Sequence, residues 1–526
     1  VMVGGLGRRS DLLHQGETGG EGAGPEGRME GVLAHSPVRQ IGGADIGGLQ
    51  SFGHASSFAP TYSGRVTPPP EIRTLGELRD SGHTAKGLRE EMRLNLLDKL
   101  AAGVDPWPGL HGFESTVIPQ LERAMLAGHD VVLLGERGQG KTRLLRTLVG
   151  LLDEWTPVIA GSELGEHPFH PITLTSKRRF AELGDELPVA WRHRDDRYAE
   201  KLATPDTSVG DLIGDVDPIK VAEGRSLGDP ETIHFGLVPR SHRGIVAINE
   251  LPDLAERIQV ALLNVMEERD IQIRGYVLRL PLDVLLVASA NPEDYTNRGR
   301  IITPLKDRFG AEIRTHYPIE VADEVAVIRQ EAHLVAEVPD VLVEILARFT
   351  RELRESSAID QRSGVSARFA IAGAETVAAA ALHRATVRGE PDPVARLVDV
   401  EAAVEVLTGK VEFEVGEDGR EAEILEHLLR TATAAVVREH FRGIDFGPLV
   451  AAMDGSTLVT TGDRVTAAEF LAALPHVDGD LYDQIADRVA ARTPGERASA
   501  LELALEGLYL ARRVGKETGG NESIYG

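Results

Sequence analysis

Four short apolar runs stand out along the chain, at 131–134, 172–174, 244–248 and 284–289. Uninterrupted runs of this length read as strands buried on both faces. Between and around them, apolar residues recur at helical spacing. Leu88, Met92, Leu96, Leu97 and Leu100 form one such stripe, residues 117–126 a second, and Leu144, Leu145 and Leu148 a third. Strand and helix signals alternate as far as about residue 318, which implies a parallel α/β sheet. Beyond 318 the pattern turns helical and Ala-rich, at 321–336, 341–354 and 368–384. Further helical patterns follow at 421–438 and 497–513, and Gly519-Gly520-Asn521 reads as the start of a frayed end. Residues 1–85 differ. They are rich in Gly, Ser and Pro, end near Pro68-Pro69-Pro70 and show no periodic apolar face, so they read as a disordered tail with order starting near Thr84. The chain begins with Val and carries internal Met2 and Met29, so part of this tail is either an over-extended translation start or a functional arm. The organisation expected is a tail at 1–85, an α/β nucleotide-binding domain at 86–318, a helical lid at 319–410 and a helical C-terminal region at 411–526.

Composition narrows the function classes. With 42% hydrophobic and 26% charged residues the chain is ordinary for a globular protein, and aromatics at 5% leave the cores to Ala, Val, Leu and Ile. A net charge of −25 argues against a general binder of nucleic-acid backbones. With no Cys, disulfides, thiolate metal sites and Cys nucleophiles are excluded. No apolar stretch approaches the ~20 residues needed to span a bilayer, and the expected location is cytoplasmic. His167, His170 and His193 lie close in sequence, but interleaved Pro168 and Pro171 and the lack of Cys favour a solvated loop over a zinc site.

The chemistry starts at Gly135-Glu136-Arg137-Gly138-Gln139-Gly140-Lys141-Thr142, which fills every fixed position of G-x-x-x-x-G-K-[ST] between a strand and a helix. The glycines let successive N–H groups turn toward phosphate oxygens, and the helix N-terminus adds its dipole. Lys141 is expected to reach the β- and γ-phosphates of ATP, and the Thr142 hydroxyl to ligate Mg²⁺. The run 244–248 ends in Asn249-Glu250, where a P-loop enzyme places Asp-Glu. Asn249 can still accept a hydrogen bond from the metal's water shell but brings no charge. Glu250 is the candidate general base. Asn291, at the end of the 284–289 run, could sit between the γ-phosphate and the attacking water. Arg308, in Pro304-Leu305-Lys306-Asp307-Arg308-Phe309-Gly310, could project across a subunit interface onto a neighbour's ATP. Arg368, opening a helix after Ser363-Gly364-Val365-Ser366-Ala367, could reach the γ-phosphate from the lid.

The order P-loop, 244–250, Asn291, Asp307-Arg308-Phe309 and Arg368 resembles the AAA+ ATPases of the magnesium chelatase I-subunit and MoxR group, over roughly residues 105–385. The likeness extends to Thr204-Pro205-Asp206 and 209–217, similar to that family's helix-2 insert, and to Phe235-Gly236-Leu237-Val238 ahead of Arg243-Gly244. Met266-Glu267-Glu268-Arg269-Asp270 with 271–275 resembles the hairpin before the sensor-1 strand, and Asn291-Pro292-Glu293-Asp294 the chelatase sensor. The resemblance implies a ring homo-oligomer, commonly a hexamer, and a partner with a von Willebrand A domain. It implies an ATP-hydrolysing motor that remodels a partner, with metal insertion as one such role. The alternative is a slow or non-hydrolysing ATP-binding scaffold, because Asn249 replaces the usual acid. A sigma-54-type transcription activator lacks support, since no Gly-Ala-Phe-Thr-Gly-Ala loop is present, and no nucleic-acid-binding module is recognisable.

Overall fold

The computed structural model describes residues 67–223, 232–268, 271–273, 276–291, 299–360, 364–453, 457–519 and 522–526. All of them belong to one compact unit, Pro60–Gly526. Most of the expected tail therefore lies outside the described residues.

In chain order the strands of the first half are β1 (Val131–Leu134), β2 (Trp155–Ile159), β3 (Val189–His193), β4 (Tyr198–Leu202), β5 (Gly214–Val216), β6 (Ile233–Phe235), β7 (Gly244–Asn249), β8 (Ile271–Ile273), β9 (Tyr276–Leu278), β10 (Val284–Ala290) and β11 (Ala311–Arg314). Five of them form a sheet in the order β11-β1-β10-β7-β4, with every pair parallel. The three central strands β1, β10 and β7 are buried along their whole length, which is why they read as continuous apolar runs. Alternate residues serve the two faces. Val131, Leu133, Ile245, Ala247, Leu285 and Val287 pack with Leu144 and Leu145 of the helix Lys141–Thr147 and with Leu148 just after it. Val132, Leu134, Val246, Ile248, Leu286 and Ala288 pack on the other face with Ile258, Leu262 and Val265 of the helix Glu256–Glu268. β5 with β6 and β8 with β9 form two-stranded antiparallel sheets, at the places where the sequence suggested family inserts.

Three expectations fail in this first half. Residues 172–174 are not a strand. The carboxylate of Glu166 takes the Ile172 and Thr173 N–H groups at 2.7 and 2.6 Å, and the Thr173 hydroxyl caps a helix, Leu174–Leu183. Order also begins before Thr84. The helix Leu75–Asp80 opens with a Thr74/Glu77 capping box and seals Leu75 against Ile159 and Leu187 of the β2–β3 hairpin region. Nor is His167 solvated. It is 2% exposed, its ring stacks on His83 with centroids 5.4 Å apart, and burial pushes its pKa down to about 2.

The helical half contains Val321–Glu331, Asp340–Glu355, Ala367–Arg388, Leu397–Leu407, Glu421–His440 and Pro494–Leu510 among other helices. One hydrophobic cluster runs from Ile328 through Phe349 and Phe369 to Leu425, Phe470, Leu501 and Tyr525. The lid expected at 319–410 and the region expected at 411–526 thus share a core. The end of the chain is not frayed. Strands β12 (Val459–Gly462), β13 (Lys516–Gly519) and β14 (Glu522–Tyr525) form an antiparallel sheet, and the buried Tyr525 hydroxyl donates to Glu506 Oε2 at 2.7 Å. Among the described residues, no helix is long and apolar enough to cross a membrane.

Candidate nucleotide site

The P-loop leaves the C-terminal end of β1, at the edge where parallel α/β sheets collect their ligands. Its backbone geometry demands glycine. A Cβ on Gly135 would overlap Thr315 Oγ1 and Gln139 Oε1. These two atoms hydrogen-bond each other at 2.9 Å, and Gln139 Oε1 also accepts from the Glu136 N–H at 3.1 Å. Gly138 and Gly140 take φ of +77° and +72°, and Gly140 caps the helix Lys141–Thr147. Gln139, a variable position of the motif, is thereby a loop brace. A cleft of about 320 Å³ opens beside the loop, lined by Leu134, Gly135, Glu136, Gln139, Lys306, Glu312, Arg314 and Thr315.

Lys141 is buried at 7% exposure, and three acceptors among the described residues share its ammonium. They are the carbonyl of Gly135, the carbonyl of Glu136 at 2.7 Å and Asn291 Oδ1 at 2.8 Å. Asn291 in turn donates from Nδ2 to Glu250 Oε2 at 2.8 Å. The sensor candidate therefore bridges the P-loop Lys and the candidate base across three sequence segments. Glu250 takes a left-handed φ of +56°, which L residues seldom adopt and which is held here by the turn after β7. Its N–H points at Ser289 Oγ at 3.4 Å.

Asn249 is 9% exposed and set in a polar row. Its Oδ1 accepts from Ser289 Oγ at 3.1 Å, and its Nδ2 donates to Glu200 Oε1 at 2.7 Å. Glu200 lies on β4 and receives Arg146 Nε and Nη2 at 2.8 and 3.1 Å. The hydrogen bond to Glu200 raises the Arg146 pKa against the opposing effect of burial. Arg146 is four residues after Thr142, so the two side chains share a face of one helix.

The lid meets the loop directly. A Cβ on Gly138 would overlap Ser366 Cβ and Oγ, and Ser366 caps the helix Ala367–Arg388. The Tyr317 hydroxyl donates to the Arg137 carbonyl at 2.8 Å, and the Arg354 guanidinium lies 4.0 Å from the Tyr317 ring centre. Arg368 itself is exposed, two residues from the Ser366 contact. Arg308 stands apart from this cluster, in a half-exposed ion pair with Glu267. The structure thus joins Lys141, Asn291, Glu250 and Asn249 in one network and brings the start of the Arg368 helix to its rim, while Arg308 faces the surface. Glu200, Ser289, Thr315 and Tyr317 were missed. Ser289 lies two residues before Asn291 on one strand face and was open to recognition by period-two reading.

The donor set suits a hard cation. The Thr142 hydroxyl, the Asn249 amide oxygen and the Glu250 carboxylate are all oxygen donors of the kind Mg²⁺ takes while keeping several waters. Among the described residues no cluster of three His, Asp or Glu could hold a metal by itself.

No family model matches the chain. Among known proteins it is similar to the magnesium-chelatase subunit ChlI of Anabaena variabilis, 28% identical over 205 residues, covering 38% of this chain and 57% of that protein. It is also similar to the magnesium-chelatase 38 kDa subunit of Acidiphilium rubrum, 29% identical over 349 residues, covering 66% of this chain and 82% of that protein. The chain spans between 51% and 57% of the length of the ChlI proteins of Nostoc and A. variabilis. One chain of the BchI–BchD complex of magnesium chelatase, built on a cryo-EM reconstruction, superimposes with a TM-score of 0.32 at 20% identity, covering 61% of this chain and 98% of that one.

Proposed function

We propose that this chain, a relative of the magnesium chelatase I subunit, is an AAA+ ATPase that binds ATP with Mg²⁺ at 135–142 and hydrolyses it to remodel a partner protein. The observation that carries the reading is the Lys141–Asn291–Glu250 bridge. Lys141 gives up Asn291 Oδ1 for a phosphate oxygen. Asn291, released from Lys141 but still beside Glu250, orients the attacking water. Glu250 accepts the water's proton at its carboxylate. When bound, Mg²⁺ supplies neutralisation of charge on the β- and γ-phosphates, with Thr142 and Asn249 as its protein-side contacts.

The same relationship implies a cytoplasmic ring, six-membered in the family, and a partner carrying a von Willebrand A domain. In such a ring Arg308 leaves its surface pairing with Glu267 and stabilises transition-state charge on a neighbour's nucleotide. Arg368 couples the lid to the γ-phosphate through the Ser366–Gly138 contact. Metal insertion is one form the remodelling could take. The net charge of −25 supports a protein rather than a nucleic-acid substrate.

A second reading, a slow or non-hydrolysing scaffold, is favoured by one observation: Asn249 is uncharged and already engaged by Ser289 and Glu200. Mixing subunits separates the two. Arg308→Ala and Glu250→Gln proteins, each inactive alone, regain phosphate release when mixed if the site is shared between subunits and turns over. No recovery in a mixture that co-assembles counts against the shared-site motor.

A further inference from the structure

We propose that Glu200 is a positioning residue of the nucleotide site: held on β4 by Arg146, it fixes the Asn249 amide with its oxygen turned away from β4. This rests on the ATP–Mg²⁺ reading above. β4 runs parallel to β7 with Leu202 opposite Asn249 and Glu200 opposite Ala247. Paired residues share a face and so do residues two apart. Glu200, Asn249 and the P-loop helix therefore meet on one side of the sheet. That placement is confirmed by contact, since Arg146 of that helix grips both oxygens of Glu200.

The chemistry of the pair is asymmetric. An ionised carboxylate only accepts hydrogen bonds. Glu200 receives Arg146, the Tyr198 hydroxyl at 3.2 Å and Asn249 Nδ2 at 2.7 Å. This forces the nitrogen of the Asn249 amide toward β4 and its oxygen the other way, where Ser289 Oγ donates to it. The oxygen keeps a second lone pair. The row Arg146–Glu200–Asn249–Ser289 then reaches the Glu250 N–H. An Asp at 249 would lose the donor to Glu200 and set a second carboxylate at hydrogen-bond distance from it, where the like charges repel. Asn249 is thus the complement of Glu200 and not a decayed Asp. Restoring the commoner acid at 249 should harm this chain unless Glu200 is neutralised with it.

The test compares the full chain, Asn249→Asp, Asn249→Ala, Glu200→Gln and the double variant Asn249→Asp/Glu200→Gln. Two readouts are used: thermal melting without nucleotide, and affinity for ADP with and without Mg²⁺. Asn249→Asp should melt about 2–4 °C below Asn249→Ala, although both lose the donor. Glu200→Gln added to Asn249→Asp should recover that difference. The Mg²⁺-dependent part of ADP affinity should fall about tenfold in Glu200→Gln and return in the double variant. A purely structural Glu200 would shift melting without moving the Mg²⁺ term. The proposal is overturned if Asn249→Asp binds Mg²⁺–ADP more tightly and melts no lower than Asn249→Ala, or if the effects at 200 and 249 simply add. If no variant and no parent chain binds ADP, the ATP reading fails, while the melting comparison still decides whether the two positions are a matched pair.

Discussion

Asn291→Ala should separate nucleotide binding from turnover in opposite directions. Asn291 holds Lys141 through Oδ1 and Glu250 through Nδ2, each at 2.8 Å. A phosphate oxygen has to displace the first of these bonds. Hydrogen bonds to charged groups contribute roughly 1.5–3 kcal/mol. Lys141 retains the Gly135 and Glu136 carbonyls in the variant, so the relief lies at the low end, about 1.5 kcal/mol or roughly tenfold tighter binding. Turnover moves the other way. Glu250 loses the amide beside its carboxylate, and with it the group that orients the water. Misplaced proton transfer costs about 100- to 10,000-fold. Equilibrium titration with a fluorescent ATP analogue gives the affinity, and single-turnover phosphate release gives the chemical step. Affinity equal to or up to about tenfold tighter than the parent, with release slowed at least ~100-fold, is the expected pair. Binding weakened tenfold or more, or release unchanged, would refute the bridge as the link between Lys141 and Glu250.

Other consequences follow from the packing. Gly135→Ala drives a methyl group into Thr315 and Gln139, and breaking their buried bonds should cost roughly 1–3 kcal/mol, read as weaker nucleotide binding; Thr315→Ala in the same chain should recover part of it. His167 and His242 are held neutral by burial, with pKa values near 2 and 4 against the usual 6.5. Both accept backbone N–H bonds at Nδ1, from Phe169 and Asp283, which protonation would abolish. The unfolded chain therefore binds more protons below 6.5, and this stability, full above that pH, is lost as pH falls, by up to about 1.4 kcal/mol per unit for each group. Melting should drop between pH 7 and 5, and less so in His167→Asn or His242→Asn than in the parent. Deleting 411–526 removes Leu425, Phe470 and Leu501 from the cluster that holds Phe349 and Phe369. Limited proteolysis of the truncated chain should then cut within 319–410, where the full chain resists.

The nucleotide loop and its central strands were legible because burial on both faces leaves an unbroken apolar signature. Edge strands leave none. β4 is only partly buried and β11 exposes two of its four residues, and neither run could be told from a loop. Glu200 was invisible for that reason: its meaning depends on β4 lying beside β7, which is a long-range fact. Residues 172–174 misled because a buried carboxylate, Glu166, took the N–H groups that a strand neighbour would have used. The C-terminal Gly519 region read as frayed because turn residues look alike whether or not the next strand finds a partner. Asn249 was recognised as a departure from its sequence alone, but whether that departure was a loss or a compensation depended on its neighbour.

The central claim is that this chain hydrolyses ATP at the P-loop through Glu250. It is tested most directly by steady-state phosphate release from ATP, with and without Mg²⁺, by the parent and Glu250→Gln proteins at matched nucleotide occupancy. The account predicts Mg²⁺-dependent release by the parent and a loss of at least ~100-fold in Glu250→Gln with binding retained. Release that is independent of Mg²⁺, absent from the parent, or unchanged by Glu250→Gln would contradict it.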